Sequence, residues 1–237
     1  MSEAKSHIQR YMEVVPAKPP KEEYLPNTLP ALPSAENYGH LQVNLFQRLD
    51  RPVKTILFTG NQSGDGVTTT LVNFSKNLAK DPNAKVLIID ANLRTPALQK
   101  IFNTPSSPGL SDLLINDSVK FLPASVAPGN LHILTCGSPM SDPVTLLSSY
   151  WFQNLLASAR ERYDYILLDT PPVHSYPDSC LVSGKVDGTV LVVRSGRTRK
   201  NAAAKAKIKL EETGATMLGV VLNRRKYYIP NFIYKRL

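Results

Sequence analysis

Apolar residues recur along this chain in two rhythms. In one, they run almost without interruption: Lys54-Thr55-Ile56-Leu57-Phe58-Thr59, Lys85-Val86-Leu87-Ile88-Ile89-Asp90, Leu131 to Thr135, Tyr165 to Asp169, Val186 to Val193 (broken by Asp187-Gly188) and Met217 to Leu222. Short apolar runs bounded by Gly, Pro or Asp predict strands buried on both faces. In the other rhythm, apolar positions return at helical spacing. This predicts helices over Glu36–Leu49, from the turn at 68 to Ala79, over Pro96–Phe102, Leu110–Ile115 and Val144–Arg160, and from a cap at Thr198 to Gly214. Trp151, followed by Phe152, falls in one of these helices and is expected in the core. Strand and helix alternate throughout. That order predicts an α/β fold, a doubly wound and mostly parallel sheet with helices on both faces. Ligands then belong at the carboxyl ends of the strands.

The first 33 residues follow neither rhythm. Pro16, Pro19, Pro20, Pro26, Pro30 and Pro33 rule out a long helix or a central strand there. Residues 1–33 read as an extended tether, 34–226 as the folded domain and 227–237 as a basic tail. Within the tether Ile8, Tyr11, Met12 and Val15 share one helical face. They fit a short docking helix or a solvated terminus.

Composition narrows the setting. The 237 residues carry a net charge of +9. Arg194–Lys209 holds seven basic residues and no acid, and Arg224–Leu237 holds five and no acid. These stretches fit a solvated helix face and tail, an acidic partner protein or an anionic membrane surface. No nucleic-acid recognition motif accompanies the charge. No apolar run approaches the roughly 20 residues of a membrane span, and no secretory signal pattern is visible. Cys136 and Cys180 lack metal-ligand spacing and are expected to be buried thiols in a reducing compartment. The expected location is cytoplasmic, with peripheral attachment at the inner membrane face an option.

Chemistry concentrates at Gly60-Asn61-Gln62-Ser63-Gly64-Asp65-Gly66-Val67-Thr68-Thr69-Thr70. A strand, a glycine-rich turn and a helix start form an anion cradle of backbone N–H groups. Gly64, Asp65, Gly66, Val67, Thr68 and Thr69 are therefore the expected nucleotide-binding positions. Phosphate-binding loops place Lys directly before the Ser or Thr. Here that place is Val67. Two strands end in carboxylates, Asp90 and Asp169, the expected catalytic pair, and either fits a strand terminator or cap as well. Thr68 and Asp169 together suit a Mg²⁺ site. Asn223 closes the last strand as a base contact or a capping residue. His40, His132 and His174 show no catalytic or metal spacing.

From about Ser34 to Asn223 the chain resembles the cytoplasmic domain of bacterial tyrosine kinases (BY-kinases), within the MinD/ParA-like phosphate-loop ATPases. The resemblance is carried by Val86 to Arg94, Gly109-Leu110-Ser111-Asp112-Leu113-Leu114, Tyr163 to Val173, Val186 to Arg194 and Leu218-Gly219-Val220-Val221-Leu222-Asn223. It implies ATP and Mg²⁺ as cofactors, a role in capsule or exopolysaccharide biosynthesis and export, and a membrane polysaccharide co-polymerase or a kinase homologue as partner.

The departures from that pattern are specific. Val67 stands where the family has Lys. Asp90-Ala91-Asn92 replaces Asp-x-Asp. Glu36-Asn37-Tyr38-Gly39-His40-Leu41-Gln42 lacks both arginines of the family's Glu-x-x-Arg-x-x-Arg assembly helix, which disfavours an octameric ring and predicts a monomer or dimer. Only Tyr227, Tyr228 and Tyr234 remain as phosphoacceptor candidates in the tail. These changes predict a pseudo-kinase scaffold or regulatory partner that binds ATP or ADP weakly or not at all. The alternatives are an active autokinase with a rearranged site, a MinD/ParA-like regulatory ATPase and a pure binding module. In the autokinase reading Arg94 in cis, or Arg197, Arg199 or Lys200 in trans, replaces the lysine.

Overall fold

A computed structural model describes residues 35–46, 52–116, 118–121, 123–126 and 129–224, and the side chains from residue 38 onward. The expected tether, the end of the first helix beyond 46, and Tyr227, Tyr228 and Tyr234 lie outside the described residues. In chain order the elements are α1 (Ala35–Phe46), β1 (Thr55–Gly60), α2 (Val67–Leu78), β2 (Val86–Asp90), α3 (Leu98–Ile101), α4 (Leu110–Ile115), β3 (Ala124–Val126) and β4 (Leu131–Leu134). They continue with α5 (Pro143–Ser148), α6 (Tyr150–Arg162), β5 (Tyr165–Asp169), α7 (Asp178–Ser183), β6 (Gly188–Arg194), α8 (Lys200–Glu211) and β7 (Met217–Asn223).

The strands form one seven-stranded sheet in the order β3-β4-β2-β5-β1-β6-β7. All neighbours are parallel except the β3–β4 edge pair. The uninterrupted apolar runs follow from this arrangement, because successive side chains of a strand point to opposite faces and both faces are covered. Ile56 and Phe58 of β1 face Leu71, Phe74 and Leu78 of α2 and Leu45 of α1. Leu57, between them, faces the other layer, with Leu147 of α5 and Phe152, Leu156 and Ala159 of α6. Leu191 and Val193 of β6 meet Ala206 and Leu210 of α8.

The Asp187-Gly188 interruption has a structural cause. Asp187 Oδ2 accepts from the Lys54 and Thr55 N–H groups at 2.9 and 2.8 Å, and from Thr55 Oγ1 at 3.0 Å. Arg160 reaches the same carboxylate with both of its terminal guanidinium nitrogens, Nη1 and Nη2. This network ties the start of β6 to the start of β1. At Gly188 a Cβ would lie 2.3 Å from Leu218 Cγ, so the neighbouring strand packs directly on its backbone.

Some local expectations are corrected. The helix predicted over Val144–Arg160 is two helices. Ser149 is extended (φ −64°, ψ 155°), and its hydroxyl accepts from Phe152 N–H, capping α6. The break rotates Trp151 outward: it is 38% exposed, while Phe152 is fully buried. Thr198 does not cap α8, which begins after Arg199. Its hydroxyl accepts from Arg194 N–H at 3.1 Å. Among the described residues no helix is long and apolar enough to cross a membrane. Cys136 and Cys180 are both buried free thiols, as expected.

Candidate functional site

The loop between β1 and α2 is built from within by Asp65. Its buried carboxylate accepts from Asn61 N–H at 3.1 Å and Gln62 N–H at 2.9 Å through Oδ2. Thr198 Oγ1 reaches Oδ1 at 3.4 Å. The side chain thus braces the loop and leaves the phosphate-facing side to backbone. Gly64 and Gly66 are left-handed, at φ 84° and 88°. Gly66 is required twice over, since a Cβ there would also lie 2.1 Å from Asn223 Nδ2. That amide donates to the Asp65 carbonyl at 2.8 Å, so the end of β7 clamps the loop. Asn223 Oδ1 in turn accepts from Arg224 N–H at 2.8 Å.

The first turn of a helix has no internal acceptors for its N–H groups. Among the described residues Gly64, Gly66, Val67 and Thr68 N–H meet none elsewhere either. They border a cleft of about 300 Å³, whose wall includes Thr69, Asn92, Thr95, Asp169, Thr170 and Arg224. Val67 contributes no charge to it. Its Cγ2 lies 2.9 Å from the position of a Cβ on Gly60, and the side chain packs against the core on the α1–α2 side of the sheet.

Parallel pairing of β2 with β5 sets Asp90 beside Asp169. The two carboxylates have different partners. Asp90 accepts from the backbone N–H groups of Asn92, Ala97 and Leu98 at 3.2, 3.2 and 3.1 Å, so it anchors the turn into α3. Asp169 Oδ2 accepts from Thr68 Oγ1 at 2.6 Å, while Asp169 Oδ1 is buried with no hydrogen-bond partner. Burial pushes Asp90 up to about 6, against the pull of its N–H donors. Burial, followed by repulsion from Asp90, pushes Asp169 up to about 8. An unsatisfied carboxylate oxygen beside a threonine hydroxyl, at the mouth of an N–H cradle, fits a hard divalent cation. The residues therefore fit Mg²⁺ with a phosphate ligand, although the loop lacks its cation.

The remaining candidates separate. Asn92 Oδ1 accepts from Thr95 N–H and Oγ1 at 3.1 and 3.3 Å and shapes the cleft wall. Arg94 does not replace the lysine. Its guanidinium pairs with Asp178 through Nε at 2.7 Å and Nη2 at 3.0 Å, and lies 4.2 Å over the Tyr176 ring. Arg199 and Lys200 line a separate surface depression with Lys205. A hollow of about 550 Å³ bordered by Arg94, Tyr176, Cys136 and Met140 is larger than the loop cleft but contains none of the loop's N–H groups. Its cysteine is no nucleophile, because burial pushes the Cys136 thiol up to about 11. Two residues that motif reading did not place at the loop in cis are found there. Arg224 lines the cleft, and Arg197 Nη1 lies 3.2 Å from the position of a Cβ on Gly64.

Comparison with known proteins finds relatives of the whole fold. An AAA domain family model matches residues 53–184. The tyrosine-protein kinase YwqD of Bacillus subtilis is 34% identical over 203 residues, covering 84% of each chain. The crystal structure of the chimerical protein CapA2B2 superposes with a TM-score of 0.77 at 30% identity, covering 95% of this chain and 99% of that one. The cell division ATPase MinD of Pyrococcus furiosus shares the fold at a TM-score of 0.58 and 22% identity, over 77% of this chain and 78% of its own.

Proposed function

The chain belongs to the bacterial tyrosine-protein kinases of the MinD/ParA-like phosphate-loop superfamily, and we propose that it serves capsule or exopolysaccharide biosynthesis and export as a pseudo-kinase. In this reading it is a scaffold or regulatory partner that keeps the phosphate cradle while phosphoryl transfer is impaired. The observation that carries the proposal is Val67, whose side chain packs toward Gly60 and the core where the family has a cation. Phosphoryl transfer depends on positioned charge, and losing one such group costs about 3 kcal/mol or more of barrier.

The rest of the cradle persists. The N–H groups of Gly64 and of Gly66 to Thr69 would hold phosphates, and Thr68 and Asp169 would hold Mg²⁺, which neutralises phosphate charge when bound. Asp90 is occupied by backbone donors and orients the turn that carries Asn92. The partner is a membrane polysaccharide co-polymerase or an active kinase homologue. The basic 194–209 segment and the tail suit an acidic protein surface or the anionic inner face of the membrane. At the two assembly positions of α1, Gly39 has no side chain and Gln42 accepts from Asn77 Nδ2 at 2.9 Å. Neither offers a cation to a neighbouring subunit, which favours a monomer or dimer over a ring.

The test is tyrosine autophosphorylation and phosphate release by the full chain, wild type beside Val67→Lys. The expected result is no wild-type signal and a gain in the variant. Robust wild-type phosphorylation overturns the proposal in favour of an autokinase with a rearranged site.

A further inference from the structure

We infer that Arg197 and Arg224 of this same chain complete the loop cleft as a polyphosphate-binding site, supplying from its rim the positive charge that Val67 does not. The inference rests on the reading of the loop as a phosphate cradle with impaired chemistry, and it concerns binding rather than transfer.

Arg197 sits in the turn between β6 and α8. Its Nη1 stands 3.2 Å from where a Cβ on Gly64 would be, so the guanidinium lies against loop backbone. Arg224 arrives from the end of β7 and forms part of the cleft wall together with Gly64, Thr68 and Asp169. Its backbone is left-handed, at φ 54°, which is uncommon for a residue of this type. The turn is held by Asn223, whose Oδ1 takes the Arg224 N–H and whose Nδ2 holds the Asp65 carbonyl. One asparagine therefore fixes both the loop and the arginine beside it.

Charge balance points the same way. The loop encloses the Asp65 carboxylate, and Asp169 stands at its mouth with an unpartnered buried oxygen. A carboxylate enclosed by the loop opposes an incoming anion unless cations offset it. Among the described residues the ion pairs are Arg94–Asp178, Arg160–Asp187 and Lys207–Glu211, so neither Arg197 nor Arg224 is neutralised by one of these acids. Guanidinium groups present a planar fork of donors suited to phosphate oxygens. Together with the free loop N–H groups and the Thr68–Asp169 pair, they suit the diphosphate or triphosphate of a nucleotide with a divalent cation. Because they approach from the rim, where the family's lysine belongs to the loop itself, they retain the ligand without restoring transfer.

The experiment titrates the full chain with fluorescent mant-ADP and Mg²⁺. Arg197→Ala, Arg224→Ala and the double variant are compared with wild type, and Lys205→Ala on the exposed side of α8 serves as a charge-matched control. Each single arginine change should weaken binding about tenfold, as expected for loss of one charge-assisted contact. The double variant should weaken it further, with the control unchanged. Double-variant binding equal to wild type overturns the inference, as does a wild type that binds no mant-ADP whether or not Val67→Lys restores it. Phosphate release in the same samples separates the two claims. Wild-type turnover overturns the pseudo-kinase reading whatever the arginines do, and arginine-independent binding without turnover overturns only the inference.

Discussion

Asn223, the last residue of β7, donates its side-chain amide to the carbonyl of Asp65 in the middle of the phosphate loop at 2.8 Å. The two residues are 158 positions apart in the chain. The contact is possible because Gly66, next to Asp65, has no Cβ to block it.

This clamp should be visible as coupling. Asn223→Ala is expected to speed hydrogen exchange in residues 61–68 and to cost about 1 kcal/mol of stability. Gly66→Ala combines the clash with a left-handed backbone and is expected to cost about 2–3 kcal/mol. In the Asn223→Ala background the clash is gone, so the same Gly66→Ala change should cost about 1 kcal/mol less. Additive costs in urea unfolding would show that the amide does not pack on Gly66.

The opposite end of the sheet is held by Asp187. Replacing it with Ala strands the Lys54 and Thr55 N–H groups and leaves the Arg160 guanidinium without its carboxylate. The expected loss is about 3 kcal/mol in urea unfolding, below the upper range for a fully buried pair because Arg160 is partly solvated. A loss under 1 kcal/mol would contradict a pinning role.

The Asp90–Asp169 pair makes a pH prediction. Both carboxyls have folded pKa values above the ordinary carboxylate range, so the folded state binds protons more readily than the unfolded chain. The stabilisation is complete below the ordinary carboxylate range and is lost as pH rises through about 6 and about 8. Ligand-free wild type should therefore lose stability across this window relative to Asp169→Asn. Parallel pH profiles for the two proteins would refute the assignment.

Ser149 tests the helix break. Ser149→Ala removes the cap on Phe152 N–H and should cost about 1 kcal/mol by thermal or urea unfolding. Unchanged stability and unchanged helical content by circular dichroism would show that the cap is not what separates α5 from α6.

Much of the fold is legible in local pattern. Ile56-Leu57-Phe58 and Val86 to Ile89 are apolar on both faces, and a strand with that property needs cover on both sides. The break at Ser149 was hidden because Val144 to Arg160 keeps helical spacing through it. The short β3 was hidden because three residues carry too little periodicity to be read.

The glycine spacing of the loop, the valine in its cation position and the threonine that follows are properties of the sequence by itself, because a phosphate cradle is made by consecutive residues whose backbone must turn. Only the tertiary structure decided what surrounds it. Parallel pairing brought Asp90 and Asp169 side by side yet gave one to backbone donors and left the other with a free oxygen. Arg94, close to the site in sequence, was drawn away by Asp178, whereas Arg197 and Arg224 were carried to the loop on neighbouring strands. Charge in a binding cleft depends on distance through space, and the order of strands in the sheet, rather than order along the chain, sets that distance.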